Sequence, residues 1–229
     1  MPLPTLDVTT YETILPSTGK AVKFRPFLVK EYKILLTALE TDQSEVTRIV
    51  NELIDACTYK QLEIDKLAHF DTEYLFLQLR SKSIGEITEL NINCDCGNKI
   101  RYDLNLNDVK ITKTDNHTNK IKINDNLGVV MRYPKFEEIV EIYENLKTDK
   151  LVNLIANCID SVYDTDQVYN DFTKQEAIEF ISGFTKDQFD KLEDFFATMP
   201  KVSQHIDTNC DKCGAHHEYD LEGLQNFFV

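Results

Sequence analysis

No apolar run in the chain approaches the ~20 residues that a membrane-spanning helix needs, and the N-terminus carries no charged-then-apolar leader pattern. Both absences predict a protein that is cytosolic where it is made. Gly-x-Gly-x-x-Gly, the Walker loop, Gly-x-Ser-x-Gly and His-Glu-x-x-His are missing, so the familiar dinucleotide, nucleotide, hydrolase and metalloprotease chemistries have no foothold. Carboxylates such as Glu137, Glu138, Asp164 and Asp166 stand beside no identifiable nucleophile and read as surface charges. Basic residues are also scarce: 25 Lys and Arg face 39 Asp and Glu, for a net charge of −14. A chain so poor in clustered cations is not built to displace counterions from a phosphate backbone, which argues against nucleic acid as a partner. The acidity is uneven, with 14 basic against 17 acidic residues up to Thr114 and 11 against 22 beyond it. The second half is either a solvating surface or a docking face for a basic partner.

Six cysteines are present, too sparse for a disulfide scaffold in 229 residues and better suited to a reducing compartment. Four of them form two knuckles, Cys94-Asp95-Cys96-Gly97 and Cys210-Asp211-Lys212-Cys213-Gly214. Two cysteine turns that supply four thiolates suit tetrahedral zinc, and a glycine after the second cysteine lets the backbone fold tightly around an ion. Cys94, Cys96, Cys210 and Cys213 are therefore expected to bind one structural zinc, although the first knuckle is a residue shorter than the second. Strand-like segments flank both, Glu89 to Asn93 and Lys99 to Leu104 around the first, Val202 to Thr208 and His216 to Leu221 around the second, so each knuckle is predicted at a hairpin tip. Metal-free thiols and a redox Cys-x-x-Cys at Cys210 and Cys213 are the competing readings. The redox one lacks the helix N-terminus that would activate a thiol. His216 and His217 stand close enough in sequence to replace or support a ligand, or are simply strand histidines. Cys57 and Cys158 each close an amphipathic helical stretch and are expected in the core.

The chain also looks repeated. Gly19 to Pro26 and Gly128 to Pro134 share a turn glycine, a β-branched and aromatic run, an arginine and a closing proline. Helices are predicted over Val29 to Glu40, Ser44 to Cys57 and Asp71 to Ser81 in the first half. In the second they fall over Phe136 to Leu146, Lys150 to Ile159, Lys174 to Ser182 and Thr185 to Ala197, with Asp71, Thr173 and Thr185 as N-terminal caps. The fold class expected is α+β, a duplicated unit of hairpin, helical bundle and cysteine hairpin. The repeats cover 1–114 and 115–229 and join at the polar stretch Lys110 to Lys120. A zinc shared by the two knuckles would pin the halves together.

The segment Leu15-Pro16-Ser17-Thr18-Gly19-Lys20-Ala21-Val22-Lys23-Phe24-Arg25-Pro26-Phe27-Leu28-Val29-Lys30-Glu31 resembles the opening of the baseplate hub assembly proteins of T-even-like contractile-tailed bacteriophages and their marine relatives, and is broadly similar to tail assembly chaperones. The resemblance implies a non-enzymatic role in building the hub of the baseplate. Its partners would be other hub or tail proteins, with no small-molecule substrate and no membrane, and it would work in the host cytoplasm during assembly or in the virion tail. Candidate partner contacts are the Arg25, Pro26 and Phe27 corner and the apolar C-terminal Phe227 and Phe228. A transient chaperone absent from the virion and a zinc-ribbon regulator touching host transcription machinery are the alternatives.

Overall fold

The computed structural model describes residues 6–38, 43–144 and 148–224. The fold is α+β, with seven α-helices and four antiparallel sheets among the described residues. Two compact units divide the chain, residues 1–112 with 201–229 and residues 113–200.

The first unit opens on the hairpin β1 (Tyr11–Ile14) and β2 (Ala21–Phe24), then runs through α1 (Val29–Ala38), α2 (Gln43–Cys57) and α3 (His69–Ser83). In α2 the apolar stripe Ile49, Val50, Leu53, Ile54 and Cys57 is buried, while Arg48 pairs with Glu45 and Glu52 on the exposed side. Helix α3 is different, because most of its surface is covered: Phe70, Leu75, Phe76, Leu77 and Leu79 are all at most 1% exposed. Each such side chain contributes roughly 1.5–3 kcal/mol of burial. Its polar residues are tied down from several directions. Asp71 accepts hydrogen bonds from the backbone N–H and hydroxyl of Ser17, Arg80 donates to Thr88, and Glu73 accepts from the N–H of Leu224.

Strands β3 (Ile87–Asn93) and β4 (Lys99–Asn105) form the first cysteine hairpin, and β5 (Lys110–Thr112) follows. Thr88, Leu90 and Ile92 alternate inward along β3, the period of two that a half-buried strand requires.

The second unit contains β6 (Lys120–Lys122), β7 (Leu127–Met131), α4 (Phe136–Glu144), α5 (Thr148–Cys158), β8 (Ile159–Asp164), β9 (Val168–Tyr169), α6 (Lys174–Ser182) and α7 (Lys186–Thr198). Its sheet has the order β6-β7-β8-β9. Its core gathers Val129, Met131, Ile155, Cys158, Ile181, Leu192 and Phe195, with Phe184, Phe189 and Phe196 packed against it. Thr173 and Thr185 close reciprocal capping boxes with Glu176 and Gln188. The chain then returns to the first unit as β10 (Lys201–Asn209) and β11 (His216–Glu222), the second cysteine hairpin.

The compact units are laid out differently from the repeats 1–114 and 115–229, since β10 pairs with β5, Lys201 opposite Thr112, within the first unit. Two sequence expectations are revised. Asp71 is not an N-cap: α3 starts at His69 behind Ala68, and the Asp71 carboxylate inside its first turn serves Ser17 instead. The stretch from Lys110 to Lys120 begins in β5 and ends in β6, so its polar composition conceals short edge strands. The predicted ends of two helices, at Glu40 and Leu146, lie outside the described residues.

One local construction occurs in both units. The N–H of Arg25 donates to the carbonyl of Cys57 at 3.0 Å, and that of Arg132 to the carbonyl of Cys158 at 2.8 Å. Each arginine then clasps the carboxylate six residues on, Glu31 or Glu138, with both terminal nitrogens. Each carboxylate also accepts the backbone N–H three residues before it, from Leu28 or Lys135. The correspondence read in the sequence between these arginines, and between Cys57 and Cys158, has this physical content.

Candidate metal centre

The two cysteine turns are built alike. In the first, the N–H of Cys94 donates to the carbonyl of Asn98 and the N–H of Gly97 to the carbonyl of Cys94, both at 2.9 Å. In the second, Cys210 donates to Ala215 and Gly214 to Cys210, both at 2.8 Å. Gly97 and Gly214 hold φ of +79° and +74°, the left-handed region that closes each turn and that a β-carbon would strain. The extra residue in the second turn is absorbed between its cysteines without changing this closure.

These turns bring four sulfurs together. Cys94 Sγ lies 3.6 Å from Cys213 Sγ, Cys96 Sγ lies 3.7 Å from Cys210 Sγ, and all four sulfurs fall within 4.8 Å of one another. A disulfide would need about 2.05 Å, so no sulfur pair is bonded. Four sulfurs at ~2.3 Å from one zinc ion would be ~3.8 Å apart along the tetrahedron edges. The donor set and its spacing fit a thiolate-bound metal. Cys94 and Cys210 are buried, whereas Cys96 and Cys213 are exposed. Asn98 reaches across from the first turn and donates its amide to Cys210 Sγ at 3.5 Å and to the Asp211 carboxylate.

The electrostatics make the same point. The N–H groups of Cys213 and Lys212, with the Asn98 amide, push the Cys210 thiol down to about 6. At Cys96 the N–H of Asn98 pulls downward, but the sulfurs of Cys94, Cys213 and Cys210 outweigh it and hold the thiol at about 12. One thiolate forms readily here and opposes the next. A dication among the four would remove that conflict and release the remaining protons.

Neither histidine of the second hairpin joins the sulfur cluster. His216 is exposed and faces Asn209, Asp207 and Glu218, while His217 sits opposite Thr208 on the other face. The candidate partner contacts are arranged differently. Arg25 is turned inward, its side chain spent on Glu31, the Pro26 and Ala56 carbonyls and Cys57. Ser17, in the neighbouring turn, is engaged by Asp71. Phe27 does border a surface groove of about 270 Å³ with Leu28, Val29, Tyr32 and Ile84. Phe227 and Phe228 lie outside the described residues.

Its paired cysteine hairpins bring four sulfurs to a place that could hold a metal, within an α+β fold. A family profile described as T4 bacteriophage base plate protein matches residues 8–229. The chain belongs to that family, which implies the virion tail as its location and other tail and baseplate proteins as its neighbours. No curated protein and no solved structure matches it. Among the described residues no helix is long and apolar enough to cross a membrane.

Proposed function

We propose that the chain is a non-enzymatic baseplate hub subunit or hub assembly factor that acts through protein–protein contacts, braced by a structural zinc. The observation that carries this reading is the family match over nearly the whole chain, which includes both cysteine hairpins. Zinc bound by Cys94, Cys96, Cys210 and Cys213 would be saturated by four sulfurs and have no open position for a substrate. Its role is then mechanical. It fastens the β10-β11 hairpin to the β3-β4 hairpin across more than a hundred residues of sequence, within the first unit. The recurring arginine, glutamate and cysteine construction supports descent of the two halves from one duplicated unit. Phe27 and its groove are the part of the Arg25, Pro26, Phe27 corner available to a partner.

The test is an affinity pull-down of the tagged chain from phage-infected cells, with mass spectrometry of purified virions in parallel. Recovery with hub or tail proteins is expected. Presence in virions identifies a subunit, and absence identifies a chaperone that works in the host cytoplasm. Recovery of host polymerase without tail proteins would replace this reading with the zinc-ribbon regulator.

A further inference from the structure

The second unit carries a groove of about 460 Å³ where α6 crosses the β7-β8-β9 side of its sheet. Its floor is apolar, made by Leu127, Ile159, Val162, Phe172, Ala177 and Phe180. Its polar lining is of one sign, Asp164, Asp171 and Glu176, with no lysine or arginine among the lining residues. Tyr169, on the terminal strand β9, stands at the rim and is 43% exposed, and its neighbour Val168 is 63% exposed.

Two of the three carboxylates are fixed rather than loose. Asp164 accepts the N–H groups of Asp166 and Gln167 and the hydroxyl of Tyr169, each at 2.8 Å, and Glu176 accepts from Thr173 in the capping box. Those bonds favour the ionised carboxylates, so both stay negative at neutral pH. The unit around them reinforces the sign, with 10 Lys and Arg against 17 Asp and Glu in residues 113–200.

The geometry points to this groove as the docking site for a segment of a partner protein that inserts an aromatic or aliphatic side chain and carries lysine or arginine within a few residues of it. An apolar floor selects the anchor, and an all-acidic rim selects the flanking charge and repels acidic competitors. A nucleic acid is excluded by the same rim. The apolar segment Phe227-Phe228-Val229 of the chain itself carries no cation, so charge disfavours it. The inference adds a contact surface to the assembly reading above and rests on it.

The test places the photocrosslinker p-benzoylphenylalanine at Tyr169 of the full-length tagged chain in infected cells, and identifies the crosslinked segment by mass spectrometry. The expected adduct joins Tyr169 to a tail-protein segment with an apolar anchor and a Lys or Arg within about four residues. Adding Asp171→Lys should lower its yield at least fivefold, while Glu12→Lys, the same charge change in the other unit, should not. An acidic segment, a second copy of this chain, or no adduct while tail proteins still co-purify would overturn the groove alone. Loss of all tail proteins from the purification would overturn the assembly reading and this inference with it.

Discussion

Arg25 grips Glu31 with both terminal nitrogens, at 2.8 and 2.7 Å, and the two side chains are only 13% and 7% exposed. Hydrogen bonding to Glu31 raises the guanidinium pKa and lowers that of the carboxylate, so the pair stays charged throughout the physiological range. Removing one charge strands the other in a place where water cannot replace it. Glu31→Gln should cost about 3–5 kcal/mol. At the equivalent pair Arg132 is 33% exposed, and Glu138→Gln should cost less, about 1.5–3 kcal/mol. Hydrogen exchange should place the first loss in β2, α1 and α2 and the second in β7 and α5. Losses below 1 kcal/mol at both sites would show that the two pairs are decoration.

Glu73 gives the fold a pH dependence of unusual sign for a carboxylate. Burial pushes it up to about 7, against a single hydrogen bond from Leu224 and with Glu222 adding to the rise. The native state therefore holds this proton more tightly than the unfolded chain does. The stability it contributes is complete below the unfolded value of 4.5 and is lost as pH rises through about 7. Glu73→Gln keeps an acceptor for the Leu224 N–H and removes the titration. Relative to the parent, the variant should gain stability between pH 5 and 8, on the order of 3 kcal/mol at most. Parallel melting curves across that range would argue against a buried proton at Glu73.

Gly128 lies opposite Tyr163 in the β7-β8 ladder, and a β-carbon there would collide with the Tyr163 ring. The tyrosine covers the bare strand position, so the two residues form one packing unit. Gly128→Ala should destabilise the second unit by about 1–3 kcal/mol through overpacking. Combined with Tyr163→Ala it should cost less than the sum of the separate changes, because each removes the cause of the other's strain. Additive effects in a double-mutant cycle would contradict that.

Much of this architecture was legible in the residues. The capping threonines at 173 and 185, the helix from Lys174 to Ser182 and both knuckle hairpins follow from local chemistry, which the fold had no reason to override. The approach of the four sulfurs was legible too, since the two cysteine turns share one pattern of residues. Asp71 misled because an aspartate before an apolar run looks like a cap, yet its partner Ser17 is 54 residues away and no local pattern announces it. Strand β8 was missed, although Ile159, Val162 and Tyr163 give a β-branched and aromatic signal, because it directly follows helix α5 with no turn residue between, and β9 is only two residues long. The return of the last hairpin to the first unit depends on the pairing of β10 with β5, a three-residue ladder inside a stretch of loop composition. The groove between α6 and the sheet could not be read either, since its acidic rim and apolar floor come from four separate elements and the loop before α6.

The most direct test of the central claim is metal analysis of the purified chain, with cobalt substitution and X-ray absorption to identify the ligands. One zinc per chain in a shell of four sulfurs at about 2.3 Å is expected. Either Cys94→Ser or Cys210→Ser should weaken retention of the metal and lower the melting temperature of the first unit. Absence of metal, half an ion per chain, or nitrogen and oxygen ligands would contradict a clasp built from both hairpins of one chain. Unchanged metal content and melting in both serine variants would do the same.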